Sequence, residues 1–241
     1  MNPEPPPIPT PAARHPSITA PPEIPPRNLI GQLLRAPRVL VDPAGPGVGL
    51  PALLGLTLLG ALIYGVVVGS FARGDMLWIV PLKLAGGMLL AGLICTPSLY
   101  VLSVMAGADL RPRQLLIVLG GILSLTMLLL LSFAPVAWVF SESSSSVGFV
   151  GFLHWLLWLI SVSFGLRLGR TCLHALGAAA PGTFIVWSGI FLLVTFQMAT
   201  ALRPWLGKSD VVFAKEKISF LGHWSDAVSE KTRSRATPTM P

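Results

Sequence analysis

Gln114-Leu-Leu-Ile-Val-Leu-Gly-Gly-Ile-Leu-Ser-Leu-Thr-Met-Leu-Leu-Leu-Leu-Ser-Phe-Ala-Pro-Val-Ala-Trp-Val-Phe140 runs without a single Asp, Glu, Lys or Arg. A helix rises 1.5 Å per residue, so about 20 apolar residues cross roughly 30 Å of hydrocarbon. This run is long enough to span a bilayer, and the stretches 50–70, 84–105, 149–166 and 183–202 share its character. None alternates polar with apolar residues as a lipid-facing barrel strand does, so each must satisfy its backbone internally as a helix. The expected fold is all-α, a polytopic transmembrane helical bundle of about five spans with amphipathic interfacial helices.

The whole chain agrees. It is 53% hydrophobic and 11% charged over 241 residues, with a mean hydropathy of +0.73, whereas soluble domains carry roughly a quarter charged residues. The reading divides it into a Pro-rich tail (1–27), a juxtamembrane segment (28–49), a five-span domain (50–202) and a C-terminal amphipathic helix with a frayed end (203–241). Eleven of the 23 prolines fall in residues 1–26, a composition that cannot bury a core and favours disorder or polyproline II. Its PxxP spacings fit an aromatic-lined docking groove, but such spacings are nearly unavoidable at this proline density. The first 28 residues lack the basic start and apolar core of a secretory signal.

Residues 28–41 place Leu29, Ile30, Leu33 and Leu34 beside Arg27, Arg35 and Arg38. A short helix ending before Pro37 follows, either lying in the headgroup layer or folded back on the bundle. In residues 211–228, Val211, Ala214, Ile218 and Leu221 recur at helical spacing while Lys215 and Lys217 lie off the stripe. This second amphipathic helix is too charged to span, and Val211, Ile218, Leu221, Lys215 and Lys217 are its candidate contacts to a partner or to lipid.

Basic residues orient the bundle. With the N-terminus inside, Arg14, Arg27, Arg35, Arg38, Arg111, Arg113, Arg167 and Arg170 are cytoplasmic, against Arg73 and Lys83 opposite. Five spans leave the basic C-terminal segment outside, which keeps open a miscounted span, the fourth being the shortest. The net charge of +7 is scattered over loops and tails, so anionic lipid headgroups, and no nucleic acid, are the expected counter-charge.

Inside the spans, Gly65 and Gly69 form a GxxxG, and Gly87, Ala91 and Cys95 repeat small residues four apart. Such faces let backbones approach closely, within one chain or between copies. Gly120, Gly121 and Ser124 offer the third span a matching groove. Pro97 and Pro135 should each break a backbone bond and free carbonyls for Thr96, Ser98, Ser132 or water. His154 beside Trp155 and Trp158 is the candidate cofactor residue, as an axial ligand to a haem or chlorin; the alternative is an interfacial histidine in an aromatic belt. Gln197 suits an interhelical hydrogen bond. Cys172 is placed in a cytosolic loop, and no disulfide framework, metal ligand set, phosphate loop or nucleophile elbow is read.

A cytoplasmic N-terminal region, an amphipathic lead-in ending in a proline between Arg38 and Pro43, a Gly-rich first span, and Gly107-Ala-Asp-Leu-Arg-Pro-Arg113 leading into a third span with a late proline resemble the Yip family. The resemblance implies five clustered spans and a membrane-organising role without catalysis. The Asp-Leu-Tyr-Gly-Pro signature of its eukaryotic trafficking members is absent, and with it the ground for a Rab-binding role. The Ala, Gly, Arg and Leu bias points to a bacterial cytoplasmic (inner) membrane. The functions considered are therefore a non-enzymatic scaffold with a protein partner in the membrane, an accessory subunit contacting lipid or pigment, and a transporter or channel. The last is disfavoured because ionisable groups at mid-membrane, on which transport usually depends, are not evident.

Overall fold

The structure, a computed structural model, describes residues 28–42, 49–72, 76–144 and 146–201. Its elements are α1 (Leu29–Arg35), a 3-10 turn (Pro37–Leu40), α2 (Leu50–Ala72), α3 (Met76–Met105), α4 (Pro112–Ser143), α5 (Val147–Ala175) and α6 (Pro181–Ala201). Four stretches, Leu50–Ser70, Leu77–Met105, Pro112–Ser143 and Gly148–Ala175, are long and apolar enough to cross a membrane, and Gly182–Met198 is a shorter apolar helix. The chain is thus a helical membrane bundle of about five spans. The Pro-rich tail and the C-terminal amphipathic helix lie outside the described residues.

Helix ends differ from the hydropathy reading where charges sit inside helices. The second span starts at Met76, not at 84, with Lys83 and Pro81 within α3. The fourth continues past Arg167 and Arg170 to Ala175, which makes α5 29 residues long and leaves α6, at 21 described residues, the shortest of the five long helices. Long basic side chains carry their charge out to the interface while their stems cover apolar surface, so a charge need not end a helix. Cys172, expected in a loop, consequently lies in α5, fully buried, and its thiol donates to the Pro37 carbonyl over 3.2 Å. Both cysteines are free.

Helix α4 is the axis of the bundle. It starts with Arg111 as N-cap and Pro112 in the first turn, where a missing N–H costs nothing. The Arg111 N–H donates to Gln114 Oε1 at 2.9 Å, which closes the turn. Every residue from Ile117 to Met127 is buried, because α2 and α5 flank α4, and α3 packs between α2 and α6. Glycines set these close approaches. A Cβ at Gly60 would come within 3.0 Å of Met127, one at Gly120 within 3.3 Å of Leu53, and one at Gly121 within 3.1 Å of Leu168. At Gly165 it would strike the Thr126 hydroxyl and lie 2.7 Å from the Ile122 carbonyl. Small residues buy contact here that lipid supplies less well.

One end of the bundle is clamped. Helices α3 and α5 close with the same motif: Gly107 and Gly177, at φ 89° and 93°, donate to Val104 and His174, while Ala108 and Ala178 donate to Ser103 and Leu173. The two turns then bond each other reciprocally. Asp109 N–H donates to Leu176 O at 3.0 Å, and Ala179 N–H to Ala106 O at 2.9 Å. The α3–α4 and α5–α6 hairpins therefore share a local twofold relation at this end.

The segment before α2 folds back. Leu33, Leu40 and Val41 are buried in the core, and Gln114 Nε2 donates to Val41 O at 3.5 Å. Ile30 and Leu34 stay about half exposed, so α1 packs on the bundle by one edge and keeps an apolar edge outward.

Candidate functional site

Three polar side chains from three helices meet near the end of the bundle opposite the clamp. Tyr64 stands on α2, Ser141 on the last turn of α4, and His154 on the second turn of α5, which packs against α4. The Tyr64 hydroxyl lies 2.9 Å from His154 Nδ1, and Ser141 Oγ lies 3.3 Å from His154 Nε2. The two rings meet edge to face at 5.7 Å. All three residues are buried, His154 the least at 9% exposure. Two tautomers satisfy the set. Either Tyr64 donates to Nδ1 while Nε2–H donates to Ser141, or Nδ1–H donates to Tyr64 while Ser141 donates to Nε2.

Ser–His–Tyr in this order has the outline of a nucleophile, a base and an orienting group. The phenol is neutral, unlike the carboxylate that stabilises an imidazolium in hydrolase triads, and Ser141 is only 3% exposed. What the arrangement does is tie α2, α4 and α5 together. Both ring nitrogens of His154 are engaged, so axial ligation of a haem or chlorin would require breaking one of these bonds. Of the residues expected in an aromatic belt here, Trp155 is exposed while His154 is buried.

Two further polar staples hold the interior. The Thr57 hydroxyl donates to Leu53 O (2.9 Å) and lies 3.1 Å from Ser124 Oγ, while Ser124 donates to the same Leu53 carbonyl at 2.7 Å. Trp187, fully buried, donates from Nε1 to Cys95 O at 3.1 Å and stacks between Phe184 and Phe191 at 5.5 and 5.3 Å. Sequence reasoning missed both Tyr64 and Trp187. Trp187 stands in the second turn of α6, where interfacial aromatic residues are common, so its position carried no signal.

The small-residue candidates separate clearly. A Cβ on Gly65 would fall on the backbone of Pro81, so this face is occupied by α3 of the same chain. Gly69, Gly87 and Ala91 are buried. Pro97 and Pro135 lie inside continuous helices, but Thr96, Ser98 and Ser132 donate to Gly92, Cys95 and Leu128. The carbonyls that the prolines free belong to Leu93 and Leu131. Ser and Thr bond back to carbonyls three or four residues before them, so of the three only Thr96 could reach a freed carbonyl, and it takes that of Gly92 instead. Gln197 is exposed near the end of α6. Val211, Lys215, Lys217, Ile218 and Leu221 lie outside the described residues.

Comparison of the chain with protein-family models, with curated proteins and with solved structures finds no match.

Proposed function

We propose that this protein is a non-enzymatic membrane-organising scaffold of Yip-like type in a bacterial cytoplasmic membrane, with its N-terminus cytoplasmic. The observation that carries this reading is the burial of α4 from Ile117 to Met127. The middle of the bundle is filled by packed aliphatic side chains and short hydrogen bonds, the construction of a rigid support. Its outer faces on α3 and α6 expose Trp78, Leu82, Leu93, Ile185 and Leu193, surfaces suited to lipid and to a membrane protein partner. Burial of Ser141 and His154 favours a structural over a catalytic use of that cluster.

The experiment is gentle purification of the full chain in native lipid, with cross-linking, mass spectrometry and an absorption spectrum, beside reconstitution into liposomes. A stoichiometric membrane-protein partner and no solute or ion flux are expected. A bound chromophore would move the protein to the accessory-subunit class. Flux that depends on the protein would overturn the scaffold reading.

A further inference from the structure

The clamped end is also the basic end. Arg35 closes α1 and Arg38 lies within the 3-10 turn, Arg111 and Arg113 open α4, and Arg167 and Arg170 lie in the last turns of α5; all six are exposed. The fold brings these three places together. The Pro37 carbonyl accepts from Cys172, two residues beyond Arg170, and the Val41 carbonyl accepts from Gln114, beside Arg113. Leu40 and Leu168 both approach Gly121 of α4, at 3.6 and 3.1 Å from where its Cβ would stand. The 3-10 turn that carries the exposed Arg38 is thus held against both α4 and α5. Asp42 and Asp109 are the acidic residues described at this end, leaving a clear excess of positive charge.

The apolar edge of α1 adds a second feature. Ile30 and Leu34 are 46% and 54% exposed although Leu33, between them, is locked into the core. A helix held by one edge, with its outer apolar edge next to guanidinium groups, has the pattern of an element lying in the headgroup layer.

We propose that α1, the 3-10 turn and the arginines of α4 and α5 form a seat for an anionic phospholipid of the adjoining leaflet, its acyl chains against Ile30 and Leu34 and its phosphate among Arg38, Arg113 and Arg170. Charge complementarity selects the occupant. Guanidinium groups match phosphate oxygens in a bidentate fashion, and the flanking apolar edge needs a partner that brings chains as well as charge. The inference rests on the membrane reading but not on the scaffold role, so absence of a protein partner would leave it standing.

The test uses the full-length protein in detergent, titrated with phosphatidylglycerol, with phosphatidylcholine and with inorganic phosphate, and read by native mass spectrometry and thermal midpoint. Phosphatidylglycerol should bind preferentially and raise the midpoint. The double variant R38Q/R170Q should weaken that binding about thirtyfold, two interfacial basic residues being removed, with its midpoint in phosphatidylcholine unchanged because both side chains are exposed. Arg38→Lys with Arg170→Lys should recover much of the preference. A nitroxide on L34C, selective because Cys95 and Cys172 are buried, should collide with oxygen more than with an aqueous relaxant in mixed vesicles. Equal binding of the two lipids, an unchanged preference in R38Q/R170Q, equal stabilisation by inorganic phosphate alone, or a water-exposed label at position 34 would each overturn the proposal.

Discussion

The Tyr64 hydroxyl and His154 Nδ1, 2.9 Å apart, join α2 to α5 although their residues stand 90 positions apart in the chain. Ser141, in the last turn of α4, completes the set at His154 Nε2. Removing the phenolic oxygen would leave a buried ring nitrogen unpaired. Tyr64→Phe should lower stability by about 0.5–2 kcal/mol, the range spanned by membrane hydrogen bonds and unsatisfied buried groups. Unfolding of the reconstituted protein measures it. In a double-mutant cycle with Ser141→Ala the losses should be non-additive, since both partners act through one imidazole.

The GxxxG glycines make a second prediction. Gly65→Ala would drive a methyl into the Pro81 backbone and should destabilise by about 1–3 kcal/mol, and replacing Gly65 and Gly69 by Leu should cost more. Gly55→Ala and Gly86→Ala, where nothing lies within 4 Å, should be neutral or gain up to about 1 kcal/mol of helix stability. Detergent melting curves of the four variants give the contrast. Loss of dimer cross-linking with an unchanged melt in Gly65→Ala would assign the motif to self-association.

At the clamped end, Gly107 and Gly177 occupy the left-handed region. Gly107→Ala and Gly177→Ala should each cost about 1–2 kcal/mol, the strain of that conformation for an L residue. Amide exchange at Asp109 and Ala179, whose N–H groups cross between the turns, should quicken in both variants.

Orientation is testable with two cysteines. Asn28, before α1, and Ser143, at the far end of α4, lie at opposite ends of the bundle and are both exposed. In intact cells an impermeant maleimide should label S143C and spare N28C, as the eight-to-two distribution of basic residues requires. Labelling of N28C alone would invert the topology.

The class of the molecule was legible in the chain because runs of about 20 apolar residues have one solution in lipid, a helix that satisfies its own backbone. The turns were marked as well: Gly107 before Arg111-Pro112, and Gly177 before Pro181, punctuate hairpins by chemistry that acts locally. The small-residue faces at Gly65, Gly120 and Gly121 announced close packing. Tertiary structure alone decided which helix each face meets. Lipid chains are as apolar as Leu, so α4, buried from Ile117 to Met127, and α3, which exposes Leu82, Leu93 and Met105, are both apolar enough to span. Composition cannot separate a core helix from a peripheral one under those conditions. For the same reason Lys83, Arg167 and Arg170 misplaced the helix ends: whether a basic residue terminates a helix depends on whether its side chain can reach water past its neighbours. The pairing of His154 with Tyr64 and Ser141 likewise depended on three helices converging, since hydrogen bonds between distant segments leave no local pattern in the sequence.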